Sequence, residues 1–286
     1  MTTPQTTETT GTGEYAEVNG INLYYETHGS GRPLILLHGG LGSGEMFEPI
    51  LPTLAQRHQV IVPDLQGHGR TADIDRLIDI RLMADDIAAL IDHLGLDKPD
   101  IVGYSLGGGV AFFTASKYPD KVGKLVMASA HINSDAMPAE MRAQQIQVNA
   151  AAAEFMKDTP MYRSYAAIAP NPAEFPKLLD RMGEYMRKPY DWSEDVKKLE
   201  MPVMLVFGDS DMYRPEHIVK FYQLLGGGLK DAGWQREHMS QNRLAIVPNK
   251  THYDIFLGTE VTQLALPFLD GYGKTKTWDD QVSGTK

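Results

Sequence analysis

The sequence predicts an α/β fold: a mostly parallel central sheet with helices on both faces and an inserted helical cap. Three observations carry this. Short, uniformly apolar, β-branched runs (HQVIVPD, PDIVGYS, KLVMASA) alternate with stretches of helical periodicity, the pattern of strands buried on both faces. The alternation breaks over residues 131–198, where helical spacing continues without a buried-type strand, and resumes at MPVMLVFGDSD. A chain of 286 residues, 42% apolar and 22% charged, suits one large α/β domain with an inserted subdomain, or two small domains.

The elements follow in order. Residues 1–13, MTTPQTTETTGTG, are Thr-rich and polar and read as a disordered tail. INLYYETHG and PLILLHGG are β-rich runs separated by Gly and Pro. Residues 46–57 have helical spacing, HQVIVPD is a strand, and residues 78–94 repeat apolar positions helically up to Gly95. PDIVGYS is a strand, residues 106–118 a helix closed by Pro119, and KLVMASA a strand. The cap, residues 131–198, holds six of the 14 methionines together with Phe155, Tyr162, Tyr165, Phe175 and Tyr185. A strand, a helix over residues 215–225, the strand RLAIVPN and a last helix over residues 255–269 complete the core. The core is therefore residues 14–130 and 199–270, and residues 271–286 form a polar C-terminal tail.

Composition narrows the function classes. The net charge is −10 and no stretch concentrates Lys and Arg, so neither nucleic acid nor an anionic membrane is an expected partner. The absence of cysteine removes disulfides, thiolate metal sites and a Cys nucleophile together. The N-terminal stretch lacks the basic and apolar regions of a signal peptide, and no run of 18 apolar residues exists. The expectation is a cytoplasmic protein acting on a small-molecule substrate, with no cofactor and no metal.

The segment IVGYSLGGGV, at residues 101–110, sits where a strand runs into a helix. Such a glycine loop either cradles a phosphate or holds a nucleophile. The Walker template fails, because Gly109 and Val110 stand where Lys and a hydroxyl belong. The dinucleotide template fails as well, and so does the earlier cluster HGGLGSGEM, where Glu45 occupies the decisive position. Gly103-x-Ser105-x-Gly107 fits a nucleophile turn in strand–turn–helix context. The flanking glycines are what a strained turn needs.

A serine hydroxyl needs a base, and the base an orienting acid. His252 follows the strand RLAIVPN and stands where such a sheet places its chemistry; His217 lies in a helix and His238 in a polar insertion. FGDSDM carries two aspartates. Asp209, directly after Gly208, shapes the turn, and Asp211 can reach across the loop, so Asp211 is the favoured acid. Asp254 is too close in sequence to His252 to bond its ring. Acyl transfer also needs oxyanion donors. The backbone N–H of Leu106 is one candidate, and that of Gly40, with Leu41 as the alternative, is the other. Leu41, Tyr104 and Tyr253, which adjoin these groups, are the expected substrate contacts. His38 reads as a loop-packing histidine. Asp64 and His68 in DLQGHGRT read as parts of a glycine turn, since nothing completes a metal site.

The motifs HGGLGS (38–43), DLQGHGRT (64–71), GYSLGG (103–108), GDSDMYRP (208–215) and THY (251–253) together resemble the α/β-hydrolase superfamily, over residues 18–269. The resemblance implies the α/β-hydrolase fold of a serine esterase-like branch with a cap. Ser105 is then the nucleophile, Asp211 the acid, His252 the base, and Gly40 with Leu106 the oxyanion hole. The family's usual aspartate falls three residues after the glycine, which again favours Asp211. Dehalogenases and epoxide hydrolases of this fold carry an aspartate at the elbow, where this chain has Ser105. The HGGG lipases have a third glycine where it has Leu41. The implied activity is carboxylester hydrolysis of small to medium, partly apolar substrates through an acyl-enzyme. A lactonase, a C–C bond hydrolase or a perhydrolase would use the same triad, and a ligand-binding receptor on this scaffold is the alternative of another class. The insertion at residues 226–242 is expected near the active-site mouth.

Overall fold

The computed structural model describes residues 12–272 together with Thr277, Trp278 and Val282. The tail assigned to residues 1–13 lies outside the described residues as far as residue 11, and most of the tail at 271–286 also lies outside them. Thr12 and Gly13 are not tail: they open strand β1 (Thr12–Val18). Sequence reading passes over this strand because only Ala16 and Val18 turn inward, between exposed Glu14, Tyr15 and Glu17.

The sheet has the order β1-β2-β4-β3-β5-β6-β7-β8, with β2 at Ile21–His28, β3 at Arg32–Leu37, β4 at His58–Pro63 and β5 at Asp100–Tyr104. β6 is Leu125–Ala128, β7 Val203–Ser210 and β8 Arg243–Thr251. β1 and β2 join antiparallel, and β4 through β8 run parallel. The parallel strands are apolar throughout because successive side chains point to opposite buried faces. Ile35, Leu37, Leu125, Met127, Leu205 and Phe207 enter one core, while Leu34, Leu36, Val126, Ala128, Met204 and Val206 enter the other.

Helices cover both faces. On the first lie α2 (Ile80–His93), α3 (Leu106–Lys117) and α8 (Pro215–Leu224). On the second lie α1 (Leu51–Leu54) and α9 (Glu260–Leu269). The helix expected over residues 46–57 is cut to a 3₁₀ turn at Gly44–Phe47 and the single turn of α1, since Pro49 and Pro52 withhold the N–H groups a continuous helix needs. α9 starts five residues later than its periodicity implies. The intervening turn, with Leu257 N–H donating to Asp254 O, carries Ile255 and Phe256 into the core first.

Between β6 and β7 stand α4 (Ala139–Gln145), α5 (Ala153–Met156), α6 (Pro160–Ile168) and α7 (Phe175–Arg187). This segment leaves and returns at one point. Asn133 bridges Asp191, Ser134 N–H donates to Tyr190 O at 3.0 Å, and Trp192 N–H to Ile132 O at 2.8 Å. Trp192 then packs against Phe112 and Phe113 of α3, at ring separations of 5.7 and 5.0 Å.

β3 lies between β4 and β5, so the connections leaving β3 and β5 diverge and open a crevice at their C-terminal ends, where such sheets bind ligands. Close approach of α3 makes the crevice possible. A Cβ on Gly107 would fall on the Leu37 and His38 carbonyl oxygens, and one on Gly108 on Ala130 Cβ. Gly107→Ala should therefore lower stability by about 1–3 kcal/mol or more in urea titration. Gly109→Ala, whose Cβ would stand 3.3 Å from Ile80 and Trp192, should stay within about 1 kcal/mol because alanine favours the helix interior. Equal costs would contradict this account of the loop.

Candidate active site

Ser105 joins β5 to α3 with φ 52° and ψ −116°, a region that non-glycine residues occupy at a cost of about 1–3 kcal/mol. Two hydrogen bonds hold it there: Ser105 N–H donates to Ala128 O at 3.0 Å, and Ser105 O accepts from Gly109 N–H at 3.2 Å. Leu41 (φ 59°), after β3, and Ser129 (φ 46°), after β6, share the left-handed conformation. Strained backbone thus gathers at the C-terminal ends of adjacent strands.

Ser105, His252 and Asp211 are joined in one hydrogen-bond chain. His252 Nε2 lies 3.1 Å from Ser105 Oγ, and its Nδ1 lies 3.3 Å from Asp211 Oδ1. A carboxylate can only accept, so Nδ1 carries the proton and Nε2 is left as the acceptor for the serine O–H. Asp211 is buried and fully engaged. Met212 N–H donates to its Oδ1 at 2.8 Å, while Ser129 Oγ–H at 2.5 Å and Gly208 N–H at 3.4 Å donate to its Oδ2. Asp209 is exposed and takes only a 3.4 Å bond from Ser210. Asp254 accepts from Thr251 N–H and Oγ1–H, at 2.6 and 2.7 Å, and so shapes the turn before His252.

Gly40, Leu41, Ser105, Leu106, His252 and Tyr253 open onto one cavity of about 250 Å³. Leu106 is the first residue of α3, so its N–H has no carbonyl one turn earlier and is free to point outward. A Cβ on Gly40 would stand 3.8 Å from Leu106 Cβ and 2.7 Å from Met182 Cε, so Gly40 is bounded by Leu106 below and α7 above. Tyr104 departs from expectation: it is not among the lining residues. Its hydroxyl donates to His252 O at 2.7 Å and its ring packs on His252 and Phe256, so it supports the histidine loop. Nor does any residue of 226–242 line the cavity. That insertion precedes β8, whose first residues pair with Met204 and Leu205 near the start of β7, at the sheet end away from Ser105.

Sequence reading missed most of the wall. Met137, Met182, Met186 and Met212 line it, with Tyr185, Tyr190, Trp192, Tyr213 and His131. The richness of residues 131–198 in Met and aromatics was the available signal, but periodicity does not separate wall from packing. Nothing in the sequence marks Ser129 as a partner of Asp211. Burial raises the Tyr190 hydroxyl to about 12 and the Tyr213 hydroxyl well above its ordinary value, so both stay protonated donors.

His38 and His68 are structural. His38 Nε2 accepts from Leu65 N–H at 2.9 Å and its Nδ1–H donates to Gly39 O at 2.8 Å, tying the loop after β3 to the loop after β4. His68 Nδ1–H donates to Gln66 O at 2.8 Å. Asp64 accepts from Gly44 N–H and Arg70 N–H, at 2.7 and 2.8 Å. Arg70 itself pairs with Glu45 at 2.8 Å and lies over the Tyr24 ring, and Thr71 Oγ1 accepts from Tyr24 N–H at 2.9 Å. The end of DLQGHGRT therefore fastens this loop to β2. Among the described residues no group of three or more His, Asp or Glu could hold a metal ion, and no helix is long and apolar enough to cross a membrane.

Burial lowers His38, His68 and His131 to about 4. Below the ordinary histidine value of about 6.5 the unfolded chain takes up protons that the native state refuses. Native stability is thus complete above about pH 6.5 and falls toward pH 4, by on the order of 3 kcal/mol for each histidine. The urea midpoint should drop steeply across that window. His38→Gln should flatten the slope by about one proton, and an unchanged slope would contradict the neutral, buried assignment.

A family model described as alpha/beta hydrolase fold matches residues 32–159. The chain is 42% identical over 110 residues to a soluble epoxide hydrolase of Corynebacterium sp. (strain C12), a match covering 38% of each chain. It is 28% identical over 227 residues to a bifunctional esterase/perhydrolase of Acinetobacter calcoaceticus, covering 70% of this chain and 82% of the relative. A thermophilic esterase from Thermogutta terrifontis superposes with a TM-score of 0.69 at 22% identity, over 91% of this chain and 98% of the other. With the strand order, the strained turn at Ser105 and these matches, the chain has the α/β-hydrolase fold and is similar to members of that superfamily.

Proposed function

We propose that the protein is a serine carboxylester hydrolase for small to medium, partly apolar substrates. The observation that carries this reading is the unbroken Asp211–His252–Ser105 hydrogen-bond chain opening onto an apolar cavity. Ser105 Oγ attacks the ester carbonyl while His252 Nε2 takes its proton. The N–H groups of Leu106 and Gly40 hold the negative oxygen as it forms. Asp211 keeps Nδ1 protonated and stabilises the imidazolium. His252 then protonates the departing alkoxide, leaving the acyl group on Ser105. A water molecule, deprotonated by His252, attacks the acyl carbon; Ser105 leaves with its proton restored and the carboxylic acid departs. The partial match to an epoxide hydrolase does not favour epoxide opening, since enzymes of this fold that do so attack with an aspartate where this chain has Ser105. The esterase/perhydrolase relative supports acyl-enzyme chemistry, with peroxide as an alternative acceptor to water.

Turnover of 4-nitrophenyl esters tests the assignment. Ser105→Ala should lower kcat by roughly 10⁴–10⁶-fold, since such groups act as a unit. Activity retained in that variant would refute the mechanism. Asp211→Asn should lower kcat by roughly 10³–10⁴-fold, because it leaves His252 in the wrong tautomer. Asp209→Asn should stay within about threefold of the parent, as expected of an exposed turn residue. The reverse ranking would move the acid role to Asp209.

A further inference from the structure

The cavity beside Ser105 is apolar over most of its wall, yet one corner is not. Arg142 and Gln145 of α4 line it, together with Ser134 and the side chains of Tyr190 and Tyr213. Arg142 is the one Lys or Arg among the lining residues, and no Asp or Glu is among them, in a chain whose net charge is −10. The guanidinium is only partly engaged. Its Nη1 donates to Asp135 at 2.9 Å, and Asp135 is 70% exposed. Exposed pairs of this kind contribute little. Among the described residues the guanidinium makes no other hydrogen bond. Ser134 is bonded to Tyr190, its neighbour Asp135 pairs with Arg142, and Tyr213 lines the same cavity, so these groups border one space. The corner is held rigidly: Ser134 Oγ accepts from Tyr190 N–H at 3.2 Å, and Ser134 N–H donates to Tyr190 O at 3.0 Å.

We propose that Arg142, with the Tyr190 and Tyr213 hydroxyls, forms a carboxylate-recognition subsite, so that the ester cleaved at Ser105 carries a free carboxylate on one arm. A guanidinium fork matches a planar carboxylate with two parallel N–H···O bonds. One fixed positive charge balances one carboxylate, whereas a phosphate dianion would leave net charge in an apolar cavity. The two phenols add neutral donors. The substrate class is the half-ester of a dicarboxylic acid, or a lactone bearing a carboxylate side chain, with its apolar middle against the methionines. The subsite deepens the proposed ester hydrolysis and rests on it for its place in turnover, but not for its affinity.

Two measurements separate those dependencies. In kinetics, the ratio of kcat/KM for 4-nitrophenyl hydrogen glutarate to that for 4-nitrophenyl pentanoate should fall at least tenfold in Arg142→Met and less in Arg142→Lys. A ratio unchanged within twofold in Arg142→Met overturns the subsite. In calorimetry on the unaltered protein, glutarate should bind at least tenfold more tightly than glutaramide, its neutral counterpart. Equal affinities overturn the subsite whether or not the variants fold. If the protein turns over neither ester, the serine hydrolase reading fails, and the calorimetric comparison alone then decides for or against carboxylate recognition.

Discussion

The site depends on one backbone contact: α3 lies so close to the sheet that its first turn touches the end of β3. Only glycine fits at Gly107, against the Leu37 and His38 carbonyls, and at Gly103, against the Gly107 carbonyl. That closeness lets β5 turn directly into α3 and forces Ser105 into its left-handed conformation. The bonds to Ala128 O and from Gly109 N–H hold the strain in place. Everything else in the site is positioned relative to this turn. The Leu106 N–H follows from the helix starting there, and Gly40 follows from the β3 loop that Gly107 touches.

The partners of Ser105 come from strand ends farther along the same sheet, and each is fixed by a separate device. Asp211 lies in the loop after β7 and spends both oxygens on four donors, one of them Ser129 from the loop after β6. His252 follows β8. Tyr104 holds its carbonyl from below, and Asp254 shapes the preceding turn. The loops after β3 and β4 are locked by His38, Asp64 and Arg70. Parallel strands ending on one side thus deliver a carboxylate, an imidazole and a hydroxyl to one place although they are far apart in sequence. The helices between β6 and β7 contribute the cavity wall, and the bridge at Asn133 and Asp191 anchors that layer at both ends.

Much of this was legible beforehand, for physical reasons. Strands buried on both faces are apolar throughout, so β3 to β7 stand out. The glycine spacing around Ser105 has one reading that passes its template. The gathering of His252 and Asp211 beside Ser105 was reachable because loops after parallel strands meet at one sheet edge. What stayed hidden depends on side-chain direction. Tyr104 adjoins Ser105 in sequence but turns under His252, since neighbouring positions at a strand end face opposite ways. β1 is an edge strand with two inward residues. Pro49 and Pro52 cut a helix that periodicity alone extends. Arg142, Tyr190 and Tyr213 line one cavity only because α4, the returning segment and the loop after β7 all border it, and no local pattern records that.

The central claim is that Ser105 is a nucleophile activated by His252 and presented by a strained turn. Its most direct test is covalent labelling of the folded protein with a fluorophosphonate, with the adduct located by peptide mass spectrometry. The account predicts one adduct per chain, on Ser105, formed far more slowly when His252 is replaced by alanine. Absence of labelling, an adduct on another residue, or labelling indifferent to His252 would contradict it.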